Sequence, residues 1–83
     1  MQVTIRCYGR TRRLIDERTV TVSLNEPSTV GDALNALENR FSAFSPLETT
    51  IVLKNGTNVR NLNGFDTELK RGDEVALGDP ISE

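Results

Sequence analysis

Residues 29–41 carry one apolar stripe, and that stripe decides most of what this chain can become. Val30, Leu34, Leu37 and Phe41 fall at offsets of four, seven and eleven, with Ala33 on the same side. On a helix these positions share a face. Thr29 with Asp32 three residues later is a capping-box pattern, Asp standing in for Glu, so the helix starts here, just after Pro27 and Ser28. Ser42 to Pro46 is expected to end it, because proline cannot continue a helix. A one-sided helix must bury its stripe against another layer. A chain of 83 residues has room for one compact core and not for two.

The covering layer is read from alternation. Val3, Ile5 and Cys7 alternate with Thr4, Arg6 and Tyr8, and Val20, Val22 and Leu24 alternate with Thr19, Thr21 and Ser23. Both runs have the period of a half-buried strand. Gly9 to Glu17 between them reads as an arginine-rich turn and loop, so the simplest arrangement is an antiparallel hairpin. After the helix, Ile51 to Leu53 is a short apolar run and Asn55-Gly56 is a strong hairpin-turn signal. Thr57 to Leu62 is the expected return strand. Gly64 breaks the pattern, and Asp66 to Lys70 reads as one helical turn capped by Asp66, with Leu69 inward. Arg71-Gly72-Asp73 is a turn. Glu74 to Leu77 is the last strand, with Val75 and Leu77 on one face and Glu74 and Ala76 on the other.

This order makes the helix the crossover between two hairpins, with the last strand expected to lie parallel to the first. The expected class is α+β, a ubiquitin-like β-grasp with a mixed four- to five-stranded sheet and one main helix packed on one face. Residues 1–77 form that domain, and residues 78–83 are expected to be a flexible C-terminal tail.

Composition removes several classes of chemistry. Histidine is absent, which takes away the usual general base and the commonest metal ligand. The one cysteine allows neither an intrachain disulfide nor a multi-cysteine metal site. Cys7 shares the phase of Val3 and Ile5 and is expected in the core. Asp73 and Glu74, as neighbours on a strand, point to opposite faces and do not converge as paired carboxylates. No P-loop or dinucleotide fingerprint is present. No catalytic residue, metal site or cofactor is therefore expected, and the chain is expected not to be an enzyme. No apolar stretch is long enough to span a membrane and no signal peptide is visible, so a cytoplasmic location without membrane association is expected.

The net charge of -2 is unevenly spread. Residues 1–20 hold five basic and two acidic side chains, whereas the remainder holds five basic and ten acidic ones. The basic patch is Arg10, Arg12, Arg13 and Arg18, near Arg6. With Tyr8 beside it, this patch is the one feature that would meet RNA, by phosphate pairing and base stacking. Aromatic interleaving is sparse, and a solvated arginine face is the simpler account. Lys54 and Lys70 are the only lysines and have the default reading of surface residues.

Several segments, in register, resemble one family. Tyr8-Gly9-Arg10-Thr11-Arg12-Arg13-Leu14, Ser28-Thr29-Val30-Gly31-Asp32-Ala33-Leu34, and Leu53-Lys54-Asn55-Gly56 through Asn58-Val59 are similar to the first hairpin, helix start and second hairpin of sulfur-carrier β-grasp proteins. The most specific piece is Asp66-Thr67-Glu68-Leu69-Lys70-Arg71-Gly72-Asp73-Glu74-Val75-Ala76-Leu77. It resembles the approach to the C-terminus in the molybdopterin synthase small subunit, the thiamine-pathway sulfur carrier and the small archaeal modifier proteins.

The resemblance implies a carrier or tag acting through protein partners. One is an adenylyltransferase related to ubiquitin-activating enzymes, which activates a terminal Gly-Gly carboxylate toward a thiocarboxylate or a lysine amide. Another is a large subunit of the molybdopterin-synthase type. The implied partner surface is the outward sheet face, with Arg6, Tyr8, Val52, Lys54 and Ala76, followed by Gly78, Pro80 and Ile81 leading into the tail. Residues 78–83 read Gly-Asp-Pro-Ile-Ser-Glu: Pro80-Ile81-Ser82 resembles the segment just before the family's terminal glycines, the chain departs at Glu83, which stands where they should begin, and no Gly-Gly pair occurs anywhere in the sequence. A carboxylate side chain in a narrow channel leading to ATP phosphates meets like-charge repulsion and a desolvation cost. The expectation is a protein-interaction domain that does not conjugate. The alternatives are a working carrier or modifier with an atypical end, and a small RNA-associated module using the arginine hairpin.

Overall fold

The computed structural model describes residues 1–45 and 50–78. The strands are β1 (Gln2–Cys7), β2 (Thr19–Ser23), β3 (Ser28–Thr29), β4 (Ile51–Lys54), β5 (Thr57–Asn58), β6 (Glu68–Leu69) and β7 (Glu74–Gly78). The helices are α1 (Gly9–Ile15) and α2 (Val30–Arg40), and two 3-10 turns cover Val59–Asn61 and Gly64–Asp66.

The main sheet has the order β2-β1-β7-β4-β5. β1 pairs antiparallel with β2 and parallel with β7, and β4 pairs antiparallel with both β7 and β5. This is the ubiquitin-like β-grasp that the element order predicts. The parallel β1–β7 pair lies at the centre, where both neighbours protect it. Its register places Ile5 against Val75 and Cys7 against Leu77.

The core forms where this sheet meets α2. Val3, Ile5, Cys7, Val20, Val22, Val52, Val75 and Leu77 point to the helix side and are buried. Val30, Ala33, Leu34 and Leu37 of α2 meet them, and Phe41 is partly buried at the helix end. The capping box is complete. Thr29 Oγ1 accepts from Asp32 N–H at 3.2 Å, and Asp32 Oδ2 accepts from Thr29 N–H at 2.9 Å. α2 ends at Arg40, with Phe41 N–H donating to Leu37 O; Pro46, expected to end it, lies outside the described residues.

Three expectations are corrected. Gly9 to Glu17 is not a loop throughout, because residues 9–15 form α1. Thr11 and Ile15, four apart, turn their side chains into the protein and are buried, while Arg12 and Arg13 face solvent in the last turn, where cations suit the helix dipole. Asp16 then closes the helix in the left-handed conformation, φ 63°. The return strand does not reach Leu62. It stops at Asn58, whose side chain accepts from Arg60 N–H at 2.9 Å and starts a 3-10 turn instead. Asp66 to Lys70 is not a helical turn: the turn lies just before, at Gly64–Asp66, and Glu68–Leu69 form a short strand. That strand pairs antiparallel with Ser28–Thr29 and delivers Leu69, 2% exposed, to the core. The buried Ser28 hydroxyl donates to Asn25 O, so it is satisfied.

Candidate functional site: the outward sheet face

The face opposite α2 is built by the alternate residues of the same strands. The register sets Arg6, Ala76 and Leu53 in one row across β1, β7 and β4, with Gly78 and Ile51 in the next. Tyr8 continues β1 into that second row through its N–H, which donates to Leu77 O at 2.8 Å. Gly78 lets Tyr8 pack closely: a Cβ on it would come within 3.3 Å of Tyr8 Cβ and push that side chain outward by a few tenths of an ångström. Together Tyr8, Ile51, Leu53, Ala76, Leu77 and Gly78 line a shallow depression of about 130 Å³. Tyr8 is 52% exposed and Ile51 36%. Large apolar side chains gathered on one solvent-facing surface mark an interaction site more often than scattered ones do.

The rim of this surface is charged. Arg6 Nε lies 2.8 Å from Glu74 Oε2. The Glu74 carboxylate first, and the Tyr8 hydroxyl after it, hold the Arg6 guanidinium above its ordinary pKa. Both partners are exposed, so the pair orients the cation more than it stabilises the fold.

Two residues expected on this face are elsewhere. Val52 is 3% exposed and sits opposite Leu77, inside the core. Lys54 shares Val52's phase, lies across from Val75, and brings Nζ to 3.7 Å from Asp73. The physical reason is the pleat. Once Val52 points inward, Ile51 and Leu53 must point outward. These two are the site residues that sequence reasoning missed. Arg6, Tyr8 and Ala76 lie on the outward face as expected, whereas Gly78, expected in the tail, is the last residue of β7 because the ladder with Ile51 continues to it; Pro80, Ile81, Ser82 and Glu83 fall outside the described residues.

Asp73 belongs to a structural junction. Its Oδ1 accepts from Asn55 Nδ2 at 3.0 Å and its Oδ2 accepts from Lys70 N–H at 2.7 Å, while Asn55 Oδ1 accepts from Glu74 N–H at 2.9 Å. Partial burial pushes its pKa up, but the Asn55 and Lys70 hydrogen bonds and the Lys54 ammonium outweigh that, and the net shift is down. Asn55 and Gly56 both have positive φ, 49° and 87°, as a tight two-residue hairpin demands. Cys7 is 1% exposed, and burial, with Glu17 second, raises its thiol pKa, the reverse of what a nucleophile needs.

The structure gathers Arg12, Arg13 and Arg18 around an open depression at the start of the molecule, with Asp16 and Glu17 set among them, and leaves Arg10 outside its lining. Interleaved carboxylates oppose a phosphate backbone. Among the described residues, no group of three or more Cys, Asp or Glu is placed to hold a metal ion, and no helix is long and apolar enough to cross a membrane.

Comparison with known proteins agrees with this geometry. Small archaeal modifier protein 3 of Haloferax volcanii is 27% identical over 90 aligned positions, covering 99% of this chain and 98% of the relative. The crystal structure of SAMP1 from Haloferax volcanii superposes with a TM-score of 0.88 at 26% identity, covering 100% of this chain and 99% of the other. A chain of the Amycolatopsis orientalis BexX/CysO complex has a TM-score of 0.78 at 21% identity, covering 98% of each, and shows the fold alone. Residues 5–82 match the ThiS family. The sheet order, the single main helix across it and this match over nearly the whole chain agree, and the chain belongs to the ThiS family, the ubiquitin-like sulfur-carrier group its sequence resembles.

Proposed function

We propose that this protein works by docking its outward sheet face on another protein, and that residues 79–83 as they stand do not enter conjugation. The observation that carries the reading is the surface formed by Tyr8, Ile51, Leu53, Ala76 and Gly78. It is the one place among the described residues where a sheet presents a cluster of apolar side chains to solvent, and it ends at Gly78, the last residue of β7. A partner covering this face meets an apolar centre and the Arg6–Glu74 pair at its rim, the usual anatomy of a protein interface. The BexX/CysO complex, which contains a chain of this fold, is consistent with a protein partner. The partner classes that fit are an adenylyltransferase related to ubiquitin-activating enzymes and a large subunit of the molybdopterin-synthase type.

The non-conjugating part rests on side-chain chemistry. Activation requires a carboxylate threaded through a narrow channel toward ATP, and glycine suits that passage because it has no side chain. No Gly-Gly pair occurs in the 83 residues, so none of them offers that passage.

An adenylation assay read by mass spectrometry tests both parts. The purified protein and a variant with Glu83 replaced by Gly-Gly are each incubated with ATP and the host activating enzyme. Adenylation of the variant alone is expected. Adenylation of the native chain overturns the non-conjugating reading and makes the protein a carrier with an atypical end. Repeating the assay with Ile51→Asp and Leu53→Asp in the Gly-Gly background should abolish the reaction. Undiminished activity there overturns the docking face.

A further inference from the structure

The two edges of the main sheet are finished in different ways. β5 is two residues long and runs into a 3-10 turn, which leaves little backbone to pair with. β2, the other edge, runs for five residues, Thr-Val-Thr-Val-Ser, without proline, glycine or charge. Cys7 N–H donates to Arg18 O, and Leu24 N–H to Met1 O, each at 2.8 Å. With Val22 opposite Val3 and Val20 opposite Ile5, residues 18, 20, 22 and 24 direct their backbone groups to β1. Thr19, Thr21 and Ser23 therefore turn their N–H and C=O groups to the open edge. Among the described residues one of these groups is engaged: Arg40 Nη1 donates to Thr21 O at 3.0 Å. The same guanidinium lies over the Phe41 ring, 5.4 Å from its centroid. Leu24, Ala36 and Phe41, each partly buried, pack against the core.

We propose that the β2 edge is a strand-addition site for an extended, acidic segment of another protein. Such a segment adds backbone hydrogen bonds to Thr19, Thr21 and Ser23, and one of its carboxylates takes the Arg40 guanidinium. A carboxylate is a stronger acceptor for guanidinium than a neutral carbonyl. The exchange releases Thr21 O for the new ladder, so charge and backbone pairing favour the same bound state. An uncharged segment offers Arg40 nothing in return for Thr21 O. A second copy of this chain fits less well, since antiparallel pairing about a two-fold at Thr21 brings two Arg40 side chains together without a counter-charge. This edge lies two strands away from the β7–β4 part of the docking face, and the inference stands apart from the proposed function.

The test is an amide NMR titration of the full chain with two short acetylated peptides, TVEVTV and TVKVTV. The glutamate peptide should shift the amides of Thr19, Thr21 and Ser23 more than those of Val20 and Val22. It should bind about tenfold more tightly than the lysine peptide, the worth of one charge-assisted hydrogen bond. Arg40→Gln should keep the fold and erase that preference. No shift at millimolar peptide, equal affinity for both peptides, or shifts confined to Tyr8, Ile51 and Leu53 overturns the proposal. Concentration-dependent exchange protection of the Thr21 amide without peptide also overturns it, in favour of a second copy.

Discussion

The two faces of the main sheet are built from the same strands and differ by one residue of phase. On the helix side, Val3, Ile5, Val75 and Leu77 are fully buried. On the other side, Arg6 and Ala76 stand directly beside them in sequence, Leu53 and Ile51 lie across the ladder from Ala76 and Gly78, and all four meet solvent. Apolar character alone does not separate the faces at β4, where Ile51, Val52 and Leu53 are all apolar. Their roles diverge because α2 covers one side only. On the helix side an apolar residue supplies stability, whereas on the outward side the same residue type adds little to folding and is free to meet a partner.

Substitutions can break this contrast, and the largest expected effect is in the core. Leu77→Ala should cost about 2–5 kcal/mol of folding stability by transfer loss and cavity formation. Ile51→Thr, on the opposite face of the neighbouring strand, should stay within about 0.5 kcal/mol. Denaturant unfolding of both variants decides the point, and equal losses would erase the distinction between the faces. Tyr8→Ala inverts the test. If the proposed docking on an activating enzyme holds, this substitution should lower that affinity by about 2 kcal/mol, as loss of an interface anchor does, with little change in unfolding midpoint. A variant that binds normally would remove Tyr8 from the docking surface.

Smaller effects sharpen the picture at the margins of the core. Thr29→Ala should remove about 1 kcal/mol by leaving the first turn of α2 uncapped; helical circular dichroism during unfolding reports it. The weakest effect concerns pH. Because the folded-state pKa of Asp73 is lowered, its contribution is fully present above the ordinary aspartate value of about 4. It is lost as the pH falls through the lower folded value. Asp73→Asn should therefore flatten this part of the acid-stability profile. An unchanged slope would show that the junction of Asn55, Asp73 and Lys70 carries no linked proton.

Much of the fold was legible because it is periodic. The α2 stripe, its capping box and the alternation of β1, β2 and β7 are written in local spacing. α1 was hidden because seven residues beginning with glycine and containing threonine give little helical signal. Thr11, Leu14 and Ile15, at offsets of three and four, were the clue that could have exposed it. The β3–β6 pair was hidden for another reason. Two-residue strands have no period, and Ser28 and Leu69 meet only because the chain has folded. In the candidate site, Arg6, Tyr8 and Ala76 followed from unambiguous strands, while Val52 and Lys54 were placed on the wrong face by a short all-apolar run.

The sequence by itself determined the number of layers, the place of the helix and the identity of most inward residues. These depend on spacing along one segment, which the backbone geometry of helix and strand converts directly into faces. Tertiary structure decided the phase of β4, the gathering of Ile51 and Leu53 beside Tyr8, and the contact of Arg40 with the β2 edge. Each of these depends on register between segments distant in sequence, and register is set by which side chains the shared core accepts.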